Sequence, residues 1–349
     1  MNVVVLFGGK SSEHEVSCNS ACNVLNLLSN EKYNVYKIGI TKDGAWLLTQ
    51  ASLEEIKNGG WVTRADNEPA WILPDPSVGG IRTASGKEIA IDIAFPILHG
   101  KNGEDGTVAA LFQLAGIPQV TTSMTSAANS MDKALTKLIC EKAGIDQADW
   151  TFVYSRDLSD METVVAKIEK ALDYPIFVKP ASAGSSVGIS KCKDRAALIE
   201  GLRLAAEHDF KIVLEETIVG QEVEVAVLGN NDLIASVPGE ICPAVEFYTY
   251  DAKYNDADSL LFIPARLDEA TQEKVRKAAL DVFCAMECNG YARVDFFVQK
   301  DGKVIFNELN TIPGFTDISM YPKMMEASGI AGEQLIERLI DLAMEHFNE

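Results

Sequence analysis

Residues 3–7, Val-Val-Val-Leu-Phe, form an unbroken apolar run ending at Gly8-Gly9, which predicts a short buried strand entering a turn. Ser12-x-x-Glu15 then has the spacing of a capping box, for a helix reaching about Leu28. Residues 36–40 and 89–97 predict further buried strands, and a helix is expected from Gly106 to about Gly116, just before Pro118. This alternation predicts a parallel-sheet α/β unit over the first ~120 residues. A helical stretch over about 130–143 opens a second region, in which 175–179 is a strand leading into the small-residue loop 181–188. From about Glu216 a third region begins, with strands near 222–228, 292–298 and 304–310 and helices near 269–286 and 331–347. No internal repeat or low-complexity tract interrupts the pattern.

At 349 residues, 47% hydrophobic and 23% charged, the chain has globular composition and the length of two or three domains. Its start lacks a cationic lead and a cleavage site, so no signal peptide is expected. No apolar run approaches the ~18 residues of a membrane span. The seven cysteines include no Cys-x-x-Cys pair. Cys18/Cys22 and Cys284/Cys288 stand at helical spacing and read as buried small hydrophobes, reduced in a cytoplasmic protein. The formal charge of −20 argues against nucleic acid or anionic membrane as partner. Any phosphate site must therefore be built locally, from lysines, backbone N–H groups and metal.

Four stretches carry candidate chemistry. Gly8-Gly9-Lys10-Ser11 resembles the end of a P-loop, but the leading glycine would fall on Val4 inside the strand, so that reading fails. Glu13 and Glu15 there favour the helix dipole, and Glu13 would equally suit a substrate ammonium. Lys179-Pro180 followed by Gly184-Ser185-Ser186-Val187-Gly188 has the small residues and hydroxyls that let a backbone approach a polyphosphate, although a plain loop can look similar. Asp301-Gly302 predicts a two-residue hairpin turn pairing 300 with 303, hence Asp295 with Glu308 and Arg293 with Asn310, all on one face. Opposed carboxylates with Cβ atoms ~5 Å apart need a bound cation, a shared proton or solvent. Asp295, Glu308 and the Asn310 amide form an oxygen set suited to Mg²⁺, and nearby Phe296, Phe297 and Phe306 disfavour a freely solvated hairpin. The aromatic and charged stretch 247–256 reads as a surface loop or as a lid. His99-Gly100-x-x-Gly103-Glu104-Asp105-Gly106 ends a strand, where α/β sheets bind ligands.

Taken in order, these segments resemble the D-alanine–D-alanine ligase family of the ATP-grasp superfamily, from about residue 3 to 345. The resemblance rests on Gly8-Gly9-x-Ser11-x-Glu13-x-Glu15-Val16-Ser17, the His99 motif, Met131-Asp132-Lys133, Val178-Lys179-Pro180, Ala252-Lys253-Tyr254, Arg293-Val294-Asp295, and Asn307-Glu308-x-Asn310-Thr311-x-Pro313-Gly314-Phe315-Thr316. It implies a three-domain ATP-grasp fold: an N-terminal α/β domain over 1–121, a central domain over 122–215, and a C-terminal catalytic domain over 216–349 with a lid over 244–260. It implies ATP-dependent joining of two D-alanine molecules through an acyl phosphate, for peptidoglycan synthesis, by a cytoplasmic homodimer using a pair of Mg²⁺ (or Mn²⁺) ions.

By the same resemblance, Lys133, Lys179 and Ser186 meet the ATP phosphates, Glu222 the ribose and Glu215 the adenine edge. Asp295, Glu308 and Asn310 are the metal ligands. Glu13, linked through Ser185 to Tyr254, holds the first substrate's ammonium. Lys253 and Ser319 take the second substrate's carboxylate, with His99 and Met320 also at the substrates. Arg293 and the Gly314 N–H face the oxyanion. The chain departs from the family's usual choices at 119–122, 181–183 and 317–318. Ligases of glycopeptide-resistance type, which use D-serine or D-lactate, are the enzyme alternatives. D-serine relatives tend to carry arginine at the position of Met320, and depsipeptide-forming relatives replace the lid tyrosine kept here as Tyr254. A non-catalytic nucleotide-binding ATP-grasp protein would not call for the lysines, carboxylates, Arg293 and Lys253-Tyr254 together, and an ATP-grasp enzyme activating another carboxylate would not call for Glu13 with Lys253-Tyr254.

Overall fold

The computed structural model describes residues 1–28, 31–184, 187–242 and 260–348. The apolar run becomes β1 (Asn2–Gly8), with Val3 to Phe7 fully buried, followed by α1 (His14–Leu27) and β2 (Asn34–Ile40). Then come β3 (Trp46–Thr49), α2 (Leu53–Lys57), β4 (Glu68–Ile72), β5 (Gly80–Thr83), β6 (Glu88–Ala90), β7 (Ile93–Pro96) and α3 (Thr107–Ala115). The sheet order is β6-β5-β4-β3-β2-β1-β7. Only the pairings of β1 with β2 and with β7 are parallel, so the sheet is mixed rather than parallel.

Residues 89–97 do not form one strand. The chain breaks at Asp92, whose carboxylate accepts the Asn2 N–H at 2.7 Å, and β6 and β7 occupy opposite ends of the strand order. The sheet curls enough for Asn2 Nδ2 to donate to the Ala90 carbonyl at 2.8 Å. The Ser12–Glu15 capping box is not formed either. Glu13 is the N-cap residue without a capping side chain, and Glu15 turns outward to pair with Lys42.

The expected helix over 130–143 is two helices, α4 (Met124–Met131) and α5 (Lys133–Ala143). Asp132 separates them because its side chain caps α5, accepting from Ala134 N at 3.0 Å and Leu135 N at 3.2 Å. Next come β8 (Trp150–Tyr154), α6 (Met161–Ala171), β9 (Ile176–Pro180), β10 (Ser190–Cys192), α7 (Arg195–His208) and β11 (Lys211–Glu216). Their antiparallel sheet has the order β10-β9-β11-β8.

A third sheet, β15-β14-β12-β16-β17 with β13 paired to β12, is built from β12 (Gln221–Gly229), β13 (Ile234–Ala235), β14 (Gly239–Cys242), β15 (Leu260–Phe262), β16 (Gly290–Val298) and β17 (Val304–Asn310). Against it pack α8 (Glu269–Ala285), α9 (Met320–Ala327) and α10 (Gly332–Phe347). One apolar cluster joins Val5, Phe7 and Val24 of the first unit to Leu228, Tyr291, Phe315, Tyr321 and Leu339 of the third. That shared core fixes the C-terminal end of β1 against the loop after β17. Of the cysteines, Cys18, Cys140, Cys192 and Cys288 are buried, whereas Cys284 is exposed on α8 and Cys22 is half-buried.

Candidate active site

A cleft of about 820 Å³, including its open mouth, lies where the three sheets meet and is lined by Glu13, His99, Lys133, Arg293, Glu308, Asn310 and Gly314 among others.

The hairpin supplying Arg293 to Asn310 reaches the expected register by a different route. Its turn is a three-residue loop: Gly302 N donates to Gln299 O and Gln299 N to Lys303 O, each at 2.9 Å, with Gly302 at φ +80°. From there Val298 faces Val304 and Phe296 faces Phe306, which would leave Asp295 opposite Asn307. A β-bulge between Asp295 and Phe296 shifts the register by one, so Asp295 faces Glu308 and Arg293 faces Asn310 after all.

Part of the negative charge on that face is met by a guanidinium. Arg293 donates to Asp295 from Nε at 2.8 Å and from Nη2 at 2.7 Å, and lies 3.1 Å from Glu224 on β12. Burial would weaken the guanidinium's hold on its proton, but Asp295, Glu224 and Glu308 more than reverse that. Asn310 Nδ2 also donates to Asp295 at 3.0 Å.

Among the described residues no group of three His, Cys, Asp or Glu side chains is arranged to hold a metal. Asp295, Glu308 and Asn310 nonetheless fit Mg²⁺, which keeps its waters and is commonly held by one or two carboxylates plus substrate phosphate. With both Asp295 oxygens engaged by Arg293 or Asn310, the donor set suits an ion arriving with a nucleotide rather than a preformed cage.

The loop after β17 is clamped to the first unit on both sides of Gly314. Ile312 N donates to Glu104 Oε1 at 3.2 Å, and Phe315 N to Ser20 Oγ at 3.1 Å. His99 Nδ1 lies 2.9 Å from Ile312 O and Nε2 2.9 Å from Ser20 Oγ. A carbonyl can only accept, so Nδ1 carries the proton and Nε2 accepts from Ser20. His99 thus borders the cleft while both ring nitrogens hold the loop. Glu104 also accepts from Gly100 N at 2.7 Å. Burial, reinforced by Glu13 nearby, pushes its carboxyl up to about 8.

Glu13 is buried between two glycines. A Cβ on Gly100 would lie 2.4 Å, and one on Gly184 2.7 Å, from its Oε2. Its backbone N–H is taken by Ser11 Oγ at 3.1 Å, which leaves the carboxylate aimed across the cleft toward the small-residue loop. Lys133 Nζ donates to the Ala183 carbonyl of that loop at 2.9 Å. Behind Lys133, Lys179 lies 2.6 Å from Glu215 Oε2 and Lys137 3.3 Å from Glu215 Oε1.

Glu13, His99, Lys133, Arg293, Glu308, Asn310 and Gly314 therefore come together, with Asp295, Lys179 and Glu215 directly behind them. Ser319 is beside Gly314, its Oγ accepting from Thr316 N at 3.0 Å. Glu222 sits on β12 opposite Phe297, and Met320 is buried against Gly239 and Met324; neither lines the cleft. Ser185, Ser186, Lys253, Tyr254 and the lid over 244–260 fall outside the described residues, save Leu260 itself. Sequence reasoning missed three site residues. Glu104 lay within the His99 motif, Lys137 one helical turn after Lys133, and Glu224 two residues beyond Glu222 on the same strand face.

Comparison with known proteins agrees over the whole length. The family models described as D-ala D-ala ligase N-terminus and C-terminus match residues 2–122 and 139–341. A protein named D-alanine–D-alanine ligase from Acetivibrio thermocellus is 48% identical, covering 99% of this chain and 96% of its own. One of the same name from Ruminiclostridium cellulolyticum is 47% identical, with the same coverage of 99% and 96%. Among solved structures, the VanG D-Ala:D-Ser ligase of Enterococcus faecalis superposes with a TM-score of 0.91 at 38% identity, covering 98% of this chain and 99% of its own. The D-alanine–D-alanine ligase of Coxiella burnetii gives 0.89 at 34%, covering 100% and 95%. With Glu13, Arg293 and Gly314 lining one cleft, this chain belongs to the D-alanine–D-alanine ligase family and has the ATP-grasp fold.

Proposed function

We propose that this chain joins two D-alanine molecules at the expense of ATP, through a D-alanyl phosphate, to supply the dipeptide for peptidoglycan. The observation that carries this reading is that Glu13, Arg293 and Gly314 line one cleft with Glu308 and Asn310. Glu13 receives the ammonium of the first D-alanine, leaving its carboxylate free to attack the γ-phosphate. Lys133 and Lys179 bind the phosphates, aided by the Ser185-Ser186 backbone and hydroxyls, with Glu215 at the adenine edge and Glu222 at the ribose. Asp295, Glu308 and Asn310 would hold Mg²⁺ (or Mn²⁺), in a pair of ions, and the metal would supply positive charge against the phosphates. The amine of the second D-alanine, its carboxylate on Lys253 and Ser319, then attacks the acyl phosphate. The tetrahedral oxyanion is met by Arg293 and the Gly314 N–H; removing one such donor lowers kcat by roughly 10²–10³-fold. Tyr254 and the lid exclude water from the acyl phosphate.

The proposed domains run over 1–121, 122–215 and 216–349, and the second of these boundaries falls at the last residue of β11. No helix among the described residues is long and apolar enough to cross a membrane. A cytoplasmic homodimer is the expected working form.

A D-serine second substrate is the alternative favoured by the likeness to VanG. Met320 speaks against it, since D-serine relatives tend to carry arginine at that position. The deciding measurement is ATP-dependent phosphate release with product identification, using D-alanine alone and mixed with D-serine or D-lactate. D-alanyl-D-alanine as main product in each mixture supports the proposal. A dominant mixed product replaces the second substrate, and no turnover defeats the reading.

A further inference from the structure

Lys137 has no part in the chemistry above, yet a lysine with its side chain 3% exposed beside the cleft calls for a reason. It stands one turn after Lys133 on α5, so one helix directs two ammonium groups into the same region. Lys133 reaches the Ala183 carbonyl, while Lys137 reaches inward to Glu215 Oε1 at 3.3 Å. The other Glu215 oxygen is held by Lys179 at 2.6 Å. Lys179 comes from β9 and Glu215 from the adjoining β11, where Lys179 pairs with Val213 and Glu215 with Phe177, which sets the two side chains diagonally on one sheet face.

We infer that Lys137 is a positioning residue for nucleotide binding: it keeps the Glu215 carboxylate charged and in place, so that Lys179 can leave it for the phosphates. The inference rests on the proposed assignment of Lys179 to the nucleotide. A carboxylate with a side chain 7% exposed cannot remain ionised alone, because desolvation favours its neutral form. Burial does push the Glu215 carboxyl up, but Lys137 and Lys179 outweigh it and hold the group at about 2. With Lys179 as sole partner, Glu215 would bind that lysine one to one and compete with phosphate for it. Burial pulls the Lys137 ammonium down against the hold of Glu215; with Lys137 charged, the cluster carries a net single positive charge and one ammonium can move. Exposure decides which: Lys179 is 13% exposed and Lys137 3%. The arrangement also places local positive charge at a site in a chain of net charge −20, which otherwise repels a polyphosphate.

The test uses the intact enzyme. Lys137→Met keeps the length and packing of the side chain but removes its charge. The readouts are the ATP and D-alanine KM values from phosphate release, and direct binding of a non-hydrolysable ATP analogue. Lys137→Met should weaken ATP binding about tenfold or more, leaving the D-alanine KM within about twofold, and Lys137→Arg should restore most of the loss. Should Lys137→Met not fold, Lys137→Gln is read in the same assays. The double variant Lys137→Met/Glu215→Gln separates positioning from packing. It should bind ATP no worse than Glu215→Gln alone, because a neutral amide no longer detains Lys179. ATP affinity unchanged in a folded Lys137→Met or Lys137→Gln variant overturns the inference while leaving the nucleotide site intact, and so do additive losses in the double variant. A wild-type enzyme without saturable ATP binding removes the nucleotide assignment itself, and the inference with it.

Discussion

Gly184→Ala isolates the placement of one carboxylate. A Cβ there would lie 2.7 Å from Glu13 Oε2, whereas ordinary van der Waals contact begins at 3.4 Å, so the carboxylate must retreat by the difference, 0.7 Å. Gly100 packs against the same oxygen on the other side, close enough that a Cβ added there would lie 2.4 Å away, which narrows the room for retreat. Gly184 has no positive φ, so the methyl adds no backbone strain, and shedding glycine's freedom in the unfolded chain stabilises by about 0.4–1 kcal/mol. Fold and function are therefore expected to move in opposite directions. A hydrogen bond to a charged group is worth roughly 1.5–3 kcal/mol. Losing most of one at the ammonium of the first D-alanine lowers kcat/KM by about 10–100-fold. The assay is phosphate release across a D-alanine titration at saturating ATP, alongside thermal denaturation. Gly144→Ala is the control: it also replaces a glycine, at φ +75° but with nothing within 4 Å of the new methyl. It should cost about 1–2 kcal/mol of stability and leave kinetics unchanged. A Gly184→Ala enzyme whose D-alanine kcat/KM stays within twofold of wild type would refute the role given to Glu13.

Arg293→Met should destabilise the protein by about 3–5 kcal/mol in chemical denaturation, because Asp295 and Glu224 are left buried without their guanidinium. A loss below about 1 kcal/mol would mean those carboxylates are solvated. Glu308→Gln should raise the Mg²⁺ concentration needed for half-maximal turnover by tenfold or more, and near-normal magnesium dependence would defeat the metal assignment. Glu104 makes a prediction about pH. Its native carboxyl, near 8, keeps a proton that the unfolded chain releases near 4.5. Its stabilisation is thus complete below 4.5 and is lost as pH rises through 8, with a slope of at most about 1.4 kcal/mol per pH unit. Glu104→Gln should flatten that part of the stability profile between pH 5 and 8; an unchanged slope would place its origin in other groups.

In the third region β12, β16, β17, α8 and α10 were legible in the sequence to within about two residues, because period-2 and period-3.6 patterns are local properties of the chain, whereas the short β13, β14, β15 and α9 were not read. The opposition of Asp295 to Glu308 was legible as well, but by two cancelling departures. The turn holds one residue more than Asp301-Gly302 alone predicts, and the bulge shifts the register back. The bulge itself carries no local signal, and the pairing of β16 with β12 that holds it acts from outside the hairpin. Other boundaries also needed the tertiary structure. Asp92 ends an apolar run because Asn2, ninety residues away, takes its carboxylate. Asp132 divides a helical stretch through its own cap and its ion pair with Lys211.

The site divides the same way. Glu13, Lys133, Arg293, Asp295, Glu308 and Asn310 could be named from motif and spacing, since each sits at a fixed offset in its own element. Glu224 beneath Arg293, Lys137 behind Glu215 and Glu104 clamping Ile312 could not be assigned a role that way. A buried charge is defined by the partner that neutralises it. Here those partners lie tens to hundreds of residues apart, brought together only when the three sheets close around one cleft.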